Sequence, residues 1–296
     1  MVTWCLMRER LPFTYARGVS LSISSLPSPV GVWRSVRTVA SAAFIVSAAP
    51  LFYVFASPVG YLVIALGLAL SFTVSWQFTR EMALIALPLL LIAQISVEAN
   101  LEWSNIALFG SVLIAAVAVP YSLSRWVFRD HAIRFPGRPN QPWTRLEWAW
   151  LGVVLVLGWL ILPVYFIGSG SYLNWPAVSE PSEVIRLFFG VGFVGIWDEL
   201  FFICVVFALL RRHLPFWIAN VLQAVVFVSF LWELGYRSWG PVLTIPFALI
   251  QAWIFEKSKS VYYVITVHLL FDVVVFLVLI YAYHPQWAPI FLFPAP

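Results

Sequence analysis

Residues 190–210 read GVGFVGIWDELFFICVVFALL. The run is long enough to cross a bilayer, which takes about 20 apolar residues. Its centre holds two adjacent carboxylates, Asp198 and Glu199. A second run, VYYVITVHLLFDVVVFLVLIYA at 261–282, is interrupted in the same way by His268 and Asp272. A carboxylate at the middle of a span costs roughly 2.5–3.5 kcal/mol on insertion scales. Groups that cost this much face polar cavities, find partners and carry function. These four residues are where chemistry is to be sought.

The rest of the chain agrees with a membrane reading. Of 296 residues 62% are hydrophobic and 10% charged, against about 25% charged in a soluble domain. The apolar stretches are continuous and near 20 residues, whereas barrel strands would be shorter and alternating. The fold class expected is therefore all-α, a polytopic bundle of about nine transmembrane helices. The spans fall near 38–56, 59–78, 82–98, 103–126, 147–169, 184–210, 215–235, 241–256 and 260–283. The two cysteines, Cys5 and Cys204, give neither a disulfide framework nor a cysteine metal site.

Basic residues orient the bundle. If nine spans alternate, fifteen lysines and arginines fall on one side, among them Arg8, Arg10, Arg17, Arg138, Arg211, Arg212, Lys257 and Lys259. Only Arg186 and Arg237 fall on the other. The expected arrangement is a plasma-membrane protein with a cytoplasmic N-terminus and an external C-terminus. It divides into a cytoplasmic segment 1–35, spans over 36–126, a basic loop 127–146, a core 147–283 and a tail 284–296. The scattered basic residues argue against nucleic acid as a partner. The bilayer is the expected one, with a membrane-associated peptide or protein as substrate.

Helical rise puts the polar groups at one depth. Asp198 lies roughly 18 Å from the cytoplasmic end of its span, His268 roughly 12 Å and Asp272 roughly 18 Å. His268 and Asp272, four apart, share a helix face. Asp198 and Glu199 diverge by about 100°, so one can face a cavity while the other bonds to a neighbouring helix. A desolvated carboxylate can serve as general base and then general acid, and a nearby histidine can bind a metal or polarise a carbonyl. The same groups could instead clamp two helices together. Glu233 sits near the outer end of its span. It either pairs with Arg237 or reaches into the cavity. Asn220 and Gln223 read as contacts to a neighbouring helix. Arg211, Arg212 and His213 read mainly as a topology signal, and the eighth span carries little beyond Thr244 and Gln251.

The pattern Asp-Glu-Leu-Phe-Phe-Ile-Cys at 198–204, followed by His-Leu-Leu-Phe-Asp at 268–272, resembles the CPBP family of intramembrane proteases. That family includes CAAX prenyl proteases and bacteriocin-processing proteins. Its motifs are EExxxR, FxxxH and HxxxN or HxxxD. The resemblance covers about 184–283. It implies a site in a membrane cavity where a carboxylate activates water for attack on a peptide bond, assisted by histidine. The implied site set is Asp198, Glu199, Glu233, His268 and Asp272. A divalent metal such as zinc would be held by His268, Glu233 and Asp272. The chain departs from the motifs at Ile203, where the family has Arg, and at Leu231, where it has His. Three functions follow. The first is an intramembrane endopeptidase cutting a membrane-associated or prenylated-like substrate in the cytoplasmic half of the bilayer. The second is an inactive relative serving as a binding or scaffold protein. The third is a proton- or ion-coupled transporter, for which the chain shows neither inverted repeat nor paired broken helices.

Overall fold

The computed structural model describes residues 29–137 and 142–296. Cys5, Arg8, Arg10, Arg17 and Arg138 lie outside the described residues. Nine helices run through the described chain: α1 Pro29–Tyr53, α2 Val59–Phe72, α3 Trp76–Ile92, α4 Trp103–Val127, α5 Arg145–Gly168, α6 Pro181–Arg211, α7 Phe216–Leu234, α8 Gly240–Ser258 and α9 Val261–Tyr283. No strand occurs among the described residues. Six of the nine helices, α1, α4, α5, α6, α7 and α9, are long and apolar enough to cross a membrane. The protein is a polytopic helical membrane bundle.

Capping groups set several boundaries. Thr144 and Glu147 close a reciprocal capping box on α5, and Glu180 and Glu183 close one on α6, where Pro181 takes the first turn. Such boxes satisfy amides that the first turn leaves without partners. Ser260 accepts from the Tyr263 amide at the start of α9.

The second and third helices differ from the expected spans. α2 stops at Phe72 because Ser75 caps α3 by accepting from the Phe78 amide at 3.1 Å. Ser71 also donates to Thr79 across the turn at 3.0 Å. Arg80 is therefore inside α3 and not between spans. At 14 residues, α2 is about 21 Å long and shorter than the hydrocarbon core. α2 packs on α1 through a close backbone approach. Ser41 donates to the Gly67 carbonyl at 2.8 Å, and a side chain at Gly67 would strike Ile45.

The helices of the C-terminal half surround α6. α6 packs on α9, α9 on α5, and α7 on α8 and α1. One end of this bundle carries Arg211, Arg212, Lys257 and Lys259. Glu81 of α3 is fully buried there, accepting from Arg212 at 3.0 Å, His213 at 2.8 Å and Gln77 at 3.1 Å. Arg212 and His213 thus do more than mark topology, because they tie the end of α6 to α3. At the opposite end the tail folds back, and its Ile290 carbonyl accepts from Trp159 of α5 at 2.9 Å.

Candidate functional site

α6 changes its winding at the acidic pair. Pro181–Asp198 is α-helical, and Glu199–Phe207 is wound as a nine-residue π-helix. π segments are uncommon and cluster at functional sites. Asp198 closes one winding and Glu199 opens the other, so the two carboxylates leave the helix in different directions.

Asp198 faces a cavity of about 610 Å³. His268 and Asp272 line the same cavity. His268 Nε2 is 3.6 Å from Asp198 Oδ2 and 3.8 Å from Asp272 Oδ1. These gaps exceed a hydrogen bond and suit a water or substrate atom between the groups. Asp198 Oδ1 and Asp272 Oδ2 are buried without a hydrogen-bond partner.

Glu199 does not line the cavity. Its Oε1 accepts from His268 Nδ1 at 2.7 Å and from Gln251 Nε2 at 2.7 Å. A carboxylate bonded to Nδ1 fixes that nitrogen as the donor and turns Nε2 toward the cavity. The amide of Gln251 in α8 also donates to the Val264 carbonyl of α9 at 3.1 Å. Phe247 packs edge-on against the imidazole at 5.0 Å. The ring is therefore held by α6, α8 and α9 together.

Gly195 completes the cradle. It lies almost one turn before Asp198, and a Cβ there would collide with Asp272 Oδ2 and approach His268 Cδ2 to 3.3 Å. Only glycine lets α6 come this close to the pair on α9. Neither Gly195 nor Gln251 stands out in the sequence as a site residue, since a glycine or an amide is unremarkable in a span. A glycine one helical turn from a mid-span carboxylate was the available signal.

Asp198, Glu199, His268 and Asp272 are thus brought together, and Glu233 is not. Its carboxylate accepts from the Val97 amide at 3.2 Å, bracing the segment between α3 and α4, and it does not line the cavity. It forms no ion pair with Arg237 either; among the described residues its one hydrogen bond is to Val97. The trio His268, Glu233 and Asp272 is consequently not assembled. Among the described residues no three His, Cys, Asp or Glu side chains are placed to hold a metal ion. The trio implied for a divalent metal therefore does not form such a centre, because Glu233 is turned to Val97.

The cavity leads from the carboxylates toward Glu98, Asn100, Asn105 and Arg186, between the first half of α4 and the first half of α6. Its lining stays on the side of the site away from Arg211, Arg212, Lys257 and Lys259. Access from the basic end, which the expected cut in the cytoplasmic half requires, is not what this lining provides. The walls are mostly aliphatic and aromatic, with Phe189, Phe193 and Trp103 also exposed on the outer surface of the bundle. Arg186 lies over the Trp103 ring at 5.3 Å in this lining.

Fold and site together define a polytopic membrane protein with a carboxylate–imidazole cluster in an intramembrane cavity. Residues 180–274, about a third of the chain, match the family model described as Type II CAAX prenyl endopeptidase Rce1-like. That stretch carries an Rce1-like domain, consistent with the CPBP family, and includes Asp198, Glu199, His268 and Asp272. No curated protein and no solved structure matches the chain.

Proposed function

We propose that this protein is an intramembrane endopeptidase that hydrolyses a peptide bond of a membrane-associated substrate. One observation carries the reading: Asp198, His268 Nε2 and Asp272 converge on one wall of an apolar cavity, with carboxylate oxygens left unpaired. The Rce1-like match at 180–274 supports the same reaction class. Asp198 takes a proton from a water as the water oxygen bonds to the substrate carbonyl carbon. The carbonyl π electrons move to its oxygen and form a tetrahedral intermediate. Asp198 then delivers the proton to the amide nitrogen, the C–N bond breaks to give a carboxylic acid and an amine, and the acid's remaining proton passes to the amine as the products leave. His268 and Asp272 orient the water, and Glu199 and Gln251 hold His268. The apolar cavity favours a hydrophobic or lipidated peptide. With the basic end taken as cytoplasmic, a lining on the side away from that end supports entry from the outer half of the bilayer.

The test is cleavage of hydrophobic and prenylated peptides by purified protein in proteoliposomes. Asp198→Asn and His268→Ala should lower turnover by at least about 100-fold, with folding retained. Unchanged turnover in both variants would sink the proposal. Ile203 and Leu231, apolar at two motif positions, favour a second reading in which the cavity only holds a membrane peptide. Capture of such a peptide with no cleavage, unaffected by Asp198→Asn, would select it.

A further inference from the structure

Peptide hydrolysis places negative charge on the carbonyl oxygen, and a preorganised donor aimed at that oxygen is usually a large part of catalysis. Several donors of the cluster described so far are already committed. His268 Nδ1–H is given to Glu199, and the Gln251 amide is given to Glu199 and Val264. Thr244, also in the cavity lining, donates to the Gly240 carbonyl at 3.2 Å. Leu231 stands in that lining without any donor.

Tyr236 is built into the same wall. It lies two residues beyond α7, delivered by Gly235 at φ 132°, a conformation that side chains with a Cβ rarely adopt. The backbone is pinned on both sides. The Gly235 carbonyl accepts from Asn174 at 3.2 Å, and the Arg237 carbonyl accepts from Tyr165 at 2.8 Å. The ring is boxed by Tyr165, nearly parallel at 6.2 Å, by Phe166 at 5.4 Å and by Trp175 at 5.8 Å. The side chain is buried yet lines the cavity. Its hydroxyl makes no hydrogen bond among the described residues. Burial pushes the phenol well above its ordinary pKa, and the nearby Asp272, Tyr165 and Asp198 push it further. It therefore keeps its proton at neutral pH and is available as a donor.

We infer that Tyr236 donates the hydrogen bond that stabilises the oxyanion. No proton moves at Tyr236. Its O–H shortens its bond to the carbonyl oxygen as the water oxygen attacks, while Asp198 carries the proton. This inference rests on the peptidase reading, and it makes Tyr236 a catalytic residue in contact with the reacting atoms.

Tyr236→Phe keeps the ring and removes only the hydroxyl. With a peptide that the wild type cleaves in proteoliposomes, kcat should fall about 10²–10³-fold, with KM and unfolding temperature little changed. A phosphonamidate analogue of that peptide, which mimics the tetrahedral intermediate, should lose affinity by a similar factor, and the parent amide should not. Wild-type kcat in Tyr236→Phe, with Asp198→Asn inactive, would overturn the role of Tyr236 and leave the peptidase reading standing. A fall in unfolding temperature with equal losses for analogue and amide would show a packing role and overturn it too. A wild-type protein that neither cleaves nor prefers phosphonamidates to amides, across a panel of hydrophobic peptides, would remove both.

Discussion

Gly195→Ala separates stability from chemistry. The added Cβ enters the space of Asp272 Oδ2 and comes within 3.0 Å of its Cγ and 3.3 Å of His268 Cδ2. The carboxylate must swing away, because the α6 backbone that carries Asp198 is embedded between α4 and α9. Two effects on stability oppose each other. Replacing glycine by alanine inside a helix contributes about 1 kcal/mol, and overpacking costs about 1–3 kcal/mol. The net loss should lie between zero and about 2 kcal/mol, which leaves the protein folded. Turnover is less forgiving. A displacement near 1 Å in a catalytic constellation can cost about 100-fold, and here the displaced group is one of the two carboxylates flanking Nε2. The assay is peptide cleavage in proteoliposomes alongside thermal unfolding, with Gly152→Ala of α5 as the control. A Cβ at Gly152 meets nothing within 4 Å, so that variant should keep both stability and activity. Full activity in Gly195→Ala would refute the reasoning, because Asp272 could then move freely without consequence.

Three further outcomes follow from the same geometry. Gln251→Leu removes a charge-assisted hydrogen bond to Glu199 and leaves the Val264 carbonyl without its side-chain donor. It should cost roughly 1.5–3 kcal/mol by chemical unfolding and lower kcat, while Gln251→Glu should not restore either; a neutral Gln251→Leu would show that His268 needs no such brace. Glu233→Gln should match the wild type in turnover and in metal content, losing at most about 1 kcal/mol at the Val97 contact. A drop in either readout would return Glu233 to the site. Glu81→Leu should strand Arg212 and His213 at the basic end and destabilise by about 1–3 kcal/mol, discounted because Arg212 is partly solvated. Its kcat below the unfolding transition should stay near wild type, and a specific loss of turnover would connect that end of α6 to the chemistry.

Much of this was legible because charge is expensive in a span. Asp198, Glu199, His268 and Asp272 announce themselves by interrupting apolar runs, and depth arithmetic placed them on one level. The number of helices was legible from run length. The boundary between α2 and α3 was not, since Ser71, Ser75 and Thr79 decide it by local hydrogen bonds that a hydropathy pattern does not contain. Gln251 and Gly195 were silent for a related reason. An amide or a glycine costs little in a span, so its importance exists only once α8 and α9 are set against α6. Tyr236 is one aromatic residue among many at the membrane boundary until the fold sets it in the cavity wall. The π winding after Asp198 leaves no trace in residue type.

The departures at Ile203 and Leu231 bear on whether the site cuts or merely binds, and the energetics favour cutting. Three carboxylates at mid-membrane carry an insertion cost of about 8–10 kcal/mol, of the order of a whole domain's stability. One of them, Glu199, is offset by Gln251 and His268. Each of the three, Glu199 included, still keeps one buried oxygen that bonds to nothing, at a cost of about 1–3 kcal/mol. A scaffold that needed only shape would lose nothing by exchanging them for apolar residues, as buried ionic groups often can be at a gain in stability. Ile203 fills its buried place in the same π segment with an apolar side chain. The ionisable groups at this depth gather around His268, and Asp198 and Asp272 among them face the cavity. The proposed hydrolysis needs such a cluster, and a passive cavity does not.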